Sequence, residues 1–389
     1  MSDATKRLQG SLKEYGILGA LIVIVLLFDI MTQGRLLDPN NVASLIQQNA
    51  YVMILAVGMT MVIVGRHIDL SVGSVVGFVG GIVAILMYNM HWNWGLACLV
   101  AIGIGVLIGC WQGFWVAIVG IPAFIVTLGG MLLFRGLTIV LVGVTVSSLP
   151  QGFVKIANGS IPNFLGFAGN MDVVTLVLGL IAIAAIVVTA VRARVASAKD
   201  GAVAEPMVAF VIRNGLVALV VAFITYLLSL SAGGTPLVLI IVGVLIVAYS
   251  FVMSRTRFGR HIYAVGGNIR AARLSGINTK KVDFMIFVNM GILAAIAGIV
   301  TTSRAGAAVA TAGNLYEMDA IAAAYIGGCA VTGGVGKIRG AIIGALIMGV
   351  LNMGLSILSV DSAWQQSIKG LVVIVAVAAD LLTSRKNGN

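Results

Sequence analysis

Few side chains of this 389-residue chain could do chemistry, since it carries 13 Asp and Glu and 3 His. Arg66, His67 and Asp69 stand together between two apolar runs, and Glu317 and Asp319 stand just ahead of another. A carboxylate among apolar residues can hold an ion or pass a proton. It can equally cap a helix or complement its dipole. At Asp69 the choice is between a structural cap and contact with a translocated solute or its gate. At Glu317 and Asp319 it is between dipole compensation at the outer side and an outer gate or partner-docking role. A metal at His67 is disfavoured, because His91 and His261 lie on other loops and no ligand spacing surrounds it. Cys98, Cys110 and Cys329 fall inside apolar runs without paired spacing, the pattern of buried free thiols. Gly333-Gly334-Val335-Gly336-Lys337 looks like a phosphate loop. That motif needs glycine at 331 and a hydroxyl at 338, where this chain has Val331 and Ile338. The segment is therefore rejected as a nucleotide site, and no metal or cofactor is expected on the chain.

The elements that must position these residues are membrane helices. The chain is 60% apolar and 10% charged, with mean hydropathy +1.10. A bilayer core about 30 Å thick takes a helix of roughly 20 apolar residues. The sequence reads as an all-α polytopic membrane protein of about twelve spans. They fall near 16–32, 49–65, 72–90, 95–118, 122–143, 171–190, 208–230, 236–253, 283–302, 319–333, 341–358 and 364–382. The first run follows Lys6, Arg7 and Lys13 like a signal peptide, but Phe28-Asp29-Ile30-Met31 is no cleavage site, so an uncleaved span is expected. The domain reading is a cytoplasmic tail 1–15, one membrane domain 16–382 and a cytoplasmic tail 383–389.

The net charge of +11 reports orientation and does not point to nucleic acid. With the N-terminus inside, Arg192, Arg194, Lys199, Arg255, Arg257, Arg260, Lys337, Arg339, Arg385 and Lys386 all face the cytoplasm, whereas the outer loops hold Arg35, Lys155 and Arg304. That asymmetry is the positive-inside pattern and puts both termini in the cytoplasm. Trp92, Trp94 and Tyr88 then fall at the outer interface. The outer loop 144–170 carries Phe153, Phe164 and Phe167, which could lie at the interface or meet an external partner. The inner loop 192–206 reads as a flexible connection.

Gly73, Gly77 and Gly81 recur every fourth residue, as do Gly105, Gly109 and Gly113. In lipid such stripes let helices approach closely. The run 50–64 is only about 22 Å long as a helix, so a broken helix is expected, with Asp69 capping a second half that begins at Leu70 and Ser71. Irregular backbone at that depth must be satisfied by protein or water, so 69–74, with Ser71 and Ser74, borders a polar path or a tight joint. Arg135, inside a span, requires a carboxylate or carbonyl partner. Lys369 and Asp380 are expected to snorkel.

The longest polar stretch is 254–281. Gly266-Gly267 should break one helix, Asn268 should cap the next, and Gly276 should end it in a left-handed conformation. Ala271, Ala272 and Ser275 would share a small-residue face, with Arg270 and Arg273 elsewhere. Such a helix is shaped to plug into another protein's cleft, although a plain connecting loop is the alternative.

GGNIRAARLSGIN at 266–278 resembles the ATPase-coupling segment in membrane subunits of ribose/xylose-type sugar ABC importers. Three further blocks match in the same order: HIDLSVGS at 67–74, IPAFIVTL at 121–128, and YEMDAIAA at 316–323 running on to the glycine-rich 333–340. Together they cover roughly 40–380, and the wording around Arg66, which replaces the usual glycine, is closest to the multiple-monosaccharide branch. The resemblance implies a vitamin-B12-importer-like helical fold with a ten-helix core, to which 171–231 adds a hairpin. It also implies a second permease copy, a periplasmic sugar-binding protein, and a cytoplasmic ATPase with two fused cassettes that carries ATP and magnesium. The substrate would be a monosaccharide of the xylose, glucose, galactose or arabinose type, and the location the bacterial inner membrane. Asn268, Ala271, Ala272, Arg273, Ser275 and Gly276 would engage the ATPase. Asp69, Ser71, Ser74, Phe124, Glu317 and Asp319 would line the path or gate. The rivals are an ion-coupled secondary sugar transporter, which has no need of a docking segment, and an ABC permease for branched-chain amino acids.

Overall fold

Lipid offers backbone amides no partners, so long apolar runs fold as helices that satisfy themselves. The computed structural model describes residues 3–199 and 206–386. Their helices are α1 (Asp3–Met31), α2 (Pro39–Val64), α3 (Val72–Tyr88), α4 (Trp94–Gly113), α5 (Ala123–Val142), α6 (Gln151–Asn158), α7 (Val173–Lys199), α8 (Met207–Leu230), α9 (Leu237–Arg255), α10 (Arg257–Gly267), α11 (Ile269–Leu274), α12 (Thr279–Ala305), α13 (Tyr316–Ile326), α14 (Ile338–Ile357) and α15 (Ser362–Lys386). Among the described residues, 8 helices are long and apolar enough to cross a membrane, and Gly16–Met31 and Val72–Tyr88 are shorter apolar helices. This is a polytopic helical membrane protein.

Several elements differ from the sequence reading. The helix before the Arg66–Asp69 break starts at Pro39, where proline suits a first turn, and its 26 residues give about 39 Å. It crosses in full and is no half-helix. The opposite holds for 319–333: α13 has only 11 residues, about 16 Å, and the chain then turns through three glycines at positive φ, Gly328, Gly333 and Gly334. Most of 1–15 is helical as the start of α1. Residues 192–199 extend α7, while the tip 200–205 lies outside the described residues. The stretch 144–170 contains α6, whose Phe153 is fully buried while Phe164 and Phe167 are exposed. Helix α15 continues through Lys386, and 387–389 lie outside the described residues.

The chain divides into two compact units, residues 1–45 with 160–236, and residues 46–159 with 237–389. In the first, α7 and α8 pack along one another, with Gly179 tight against Thr225. Asp172 begins α7 by accepting from Val174 N at 3.0 Å and Thr175 Oγ1 at 2.8 Å. At the other end Phe210 lies under the guanidinium groups of Arg194 and Arg213, 4.8 and 5.7 Å from its ring centre.

The second unit is centred on α3 and α12, whose side chains are mostly buried. Helix α12 meets α4 along a glycine seam. A Cβ on Gly105 would strike the Gly291 carbonyl, one on Gly291 would strike the Gly105 carbonyl, and Gly109 lies on the Phe287 carbonyl. Backbones this close gain dispersion contact that larger side chains would forbid. The other stripe serves α3: Gly73 and Gly77 accept the segment 312–313, and Gly81 faces Val142.

Candidate functional sites

The first site is the junction between α2 and α3. Arg66 takes a left-handed φ of 69° and ends α2. Asp69, 1% exposed, then folds back locally, its Oδ1 accepting from Ser71 N at 2.9 Å and Ser71 Oγ at 2.6 Å. Gln112 of α4 donates to Ser71 Oγ, and Thr127 of α5 donates to the Ile68 carbonyl at 3.2 Å. His67 Nε2 lies 3.2 Å from Asp283 Oδ1 of α12 and its ring tilts against Phe287. The irregular backbone is thus held by three helices, as buried irregular backbone must be. Asp69 thus closes a turn ahead of α3, whose N-cap is Ser71 and not Asp69, and the space around it is filled. Ser74 of α3 is buried with no hydrogen-bond partner for its Oγ. Phe124 does not join this cluster; it projects from α5 and is 54% exposed.

The second site is the start of α13. Leu315 at φ 63° turns the chain so that Glu317 and Asp319 enter the first helical turn, where carboxylates oppose the helix dipole. Both are buried. Glu317 Oε2 packs on Gly73 of α3. Asp319 is held twice: Tyr51 donates to Oδ2 at 2.7 Å, and Lys369 Nζ lies 3.2 Å from Oδ1. Lys369 therefore pairs with a carboxylate instead of snorkelling. Arg135 finds a carbonyl, donating to Ala312 O at 2.9 Å. The structure thus brings Glu317 against the first turns of α3, which begin at Ser71 and carry Ser74, while Asp319 is held by α2 and α15.

The third site is α10–α11. Helix α10 begins where Thr256 Oγ1 accepts from Gly259 N at 3.1 Å and continues through both glycines, so the break falls at Asn268. Tyr263 donates to the Gly336 carbonyl at 2.7 Å, and burial pushes its phenol above the usual range. Asn268 caps α11 by accepting from Arg270 N and Ala271 N, each at 3.0 Å. Gly276 at φ 80° ends the turn, and Asn278 caps α12 through Lys281 N at 3.0 Å. The expected small-residue face is split. Ala272 turns inward at 4% exposure, while Ala271 and Ser275 are outside. Arg273 reaches back to Thr279 Oγ1 at 3.1 Å. The residue that sequence reasoning passed over is Leu274, 91% exposed. Its signal was a large apolar side chain between Arg273 and Ser275 in the longest polar stretch.

Residues 41–377 match the family described as branched-chain amino acid transport system / permease component. The chain belongs to this family of membrane permeases. Among curated proteins it is 39% identical to the xylose transport system permease protein of Escherichia coli over 97% of this chain and 94% of that one. The Haemophilus influenzae counterpart is 38% identical over 97% and 98%. The ribose import permease protein of Escherichia coli is 34% identical over 95% and 94%. No solved structure matches the chain.

Proposed function

We propose that this chain is the membrane permease of an ATP-driven importer of monosaccharides, working in the bacterial inner membrane. The observation that carries the reading is the near full-length likeness to xylose and ribose permeases. The capped, outward-pointing α11 supports it. In this reading ATP and magnesium sit on a separate cytoplasmic ATPase with two fused cassettes, sugar arrives from a periplasmic binding protein, and two copies of the permease flank the path. Both termini are cytoplasmic. The chain makes about twelve crossings, one completed by the irregular segment 306–315 together with α13. Residues 171–231 form an added hairpin.

Leu274 and Ala271 present α11 to the ATPase, and closure of its cassettes pushes on that helix. The ion-coupled alternative would use Asp69 or Glu317. Asp69 is satisfied by Ser71, whereas Glu317 Oε2 has no hydrogen-bond partner, so transport and not geometry separates the two readings. The family description mentions branched-chain amino acids, and this makes them the substrate control. The deciding experiment is uptake by proteoliposomes holding the permease with its ATPase and binding protein, supplied with xylose, ribose or leucine. ATP-dependent uptake of a sugar is expected. Uptake of leucine alone, or sugar uptake driven by an ion gradient without ATP, overturns the proposal.

A further inference from the structure

Three residues of α12, Thr279, Asp283 and Phe287, stand four positions apart, the spacing that lines side chains along one helix face. Each makes a contact that leads away from α12. Thr279 Oγ1 accepts from Arg273 Nε of α11 at 3.1 Å. Asp283 Oδ1 lies 3.2 Å from His67 Nε2. The Phe287 ring tilts against the His67 ring, with centroids 5.5 Å apart. This face therefore runs from the exposed helix α11 to the turn between α2 and α3. His67 Nε2 and Asp283 Oδ1 are shielded from solvent and form no hydrogen bond, so among the described residues their ion pair is the one polar contact either atom makes. A carboxylate placed there needs a positive charge. Lys280 and Lys281 are exposed, Arg273 reaches Thr279, and Arg66 lies against Gly333. The protonated imidazole of His67 is the cation that meets it.

We propose that His67 and Asp283 are positioning residues that tie the α2–α3 turn to α12, so that the turn follows when α11 is pushed; the inference rests on the ATP-driven-importer reading above. Four helical residues rise only about 6 Å, so a displacement at Thr279 arrives at Asp283 one turn on. The turn itself is irregular, with Arg66 at a left-handed φ of 69°, and bends more easily than the helices it joins. Gln112 fixes it to α4 and Thr127 to α5. His67 adds the tie to the helix that begins just after α11, and with it the turn moves with the first turns of α12 instead of lagging behind them.

The test uses the permease with its ATPase and binding protein in proteoliposomes, with D-xylose and D-ribose as probes. The parent chain has Cys98, Cys110 and Cys329 replaced by alanine and is first shown to transport. His67→Cys with Asp283→Cys removes both charges together, so the tie goes and no charge is stranded. Expected is ATP hydrolysis within about twofold of the parent, with sugar moved per ATP lower by about fivefold or more, the low end of coupling between sites. The two side chains are 18% and 12% exposed, which admits a short, reducible bifunctional methanethiosulfonate. Joining the thiols should restore sugar moved per ATP to within about twofold of the parent, and reduction should lower it again. A pair that only stabilises the fold gives no such reversible change in stoichiometry. Parent-like transport by the reduced double variant overturns the proposal, as does crosslinked protein in which the ratio stays low or transport stops. Should the double variant fail to fold, Asp283→Ala decides, since it leaves an imidazole that can shed its proton: a lowered ratio supports the tie and an unchanged ratio overturns it. A wild-type complex that hydrolyses ATP but moves neither sugar is a different failure, that of the importer reading, and the inference falls with it.

Discussion

Lys369→Met isolates the buried ion pair of α15 and α13. The Asp319 side chain is 2% exposed and that of Lys369 21%, so the carboxylate is the group that suffers when its partner goes. Tyr51 remains as one donor, which does not neutralise a charge held among apolar helices. Breaking a buried pair by removing one partner typically costs about 3–5 kcal/mol. Because Lys369 keeps some exposure, the low end, about 3 kcal/mol, is the expected loss. At 1.4 kcal/mol per decade this lowers the folded-to-unfolded ratio by about two orders of magnitude. Unfolding in detergent, followed by helical signal against denaturant, reads it as a shift in midpoint. The double variant Lys369→Met with Asp319→Asn should recover much of the loss, since no uncompensated charge remains. Raising the salt should change the wild-type midpoint little, because buried pairs are poorly screened. A single-variant loss under about 1 kcal/mol, the range of exposed pairs, with strong salt dependence, would refute the reasoning and return Lys369 to a snorkelling role.

Other perturbations separate packing from coupling. Leu274→Asp removes the exposed apolar tip of α11 and should abolish sugar-linked ATP turnover while leaving membrane insertion and thermal stability intact; unchanged turnover counts against α11 as the docking element. Gly291→Leu drives a side chain into the Gly105 carbonyl and should destabilise by about 3 kcal/mol or more, seen as aggregation on size exclusion. Gly243→Leu, with open space around its Cα, should elute as wild type. Asp69→Ala strips the acceptor from Ser71 N and Oγ and should cost about 1–3 kcal/mol. Asp69→Asn, which keeps Oδ1, should cost less, and equal losses would show that charge, not the turn, is what matters.

How much of this was legible beforehand depended on how local the cause was. The caps at Asn268 and Gly276 follow from side-chain reach and backbone sterics within a few residues, and both sit where the sequence puts them. The glycine stripes were readable as seams, though their partners Gly291 and Ala312 lie far along the chain and left no local trace. Pairing was what sequence concealed. Lys369 and Asp319 are fifty positions apart, and nothing in either neighbourhood names the other. Ala272 was misplaced because a six-residue helix has too few turns for periodicity to say which side faces inward. The stretch 319–333 read as a span because its composition is apolar, whereas Gly327 and Gly328, with φ 88° at the latter, stop the helix at Ile326.

These long-range contacts also give the exposed helix a route inward. Gly266, at the end of α10, presses on the Val64 carbonyl and on Gly334 N. The same Val64 carbonyl accepts from Gly334 N at 2.9 Å, and Tyr263 holds Gly336. One cluster of backbone groups therefore joins α10, the end of α2 and the loop after α13. Under the proposed coupling, a push on α11 would reach α10, whose close packing at Gly266 leaves no room for a side chain. The load would then fall on the Arg66–Ser71 turn and the 306–315 stretch, which meet at the first turns of α3 and bend more easily than helices do. Crosslinking Gly267 to Val335 through introduced cysteines should therefore freeze transport without disturbing ATP binding by the partner. Free transport in the crosslinked protein would show that the motion takes another course.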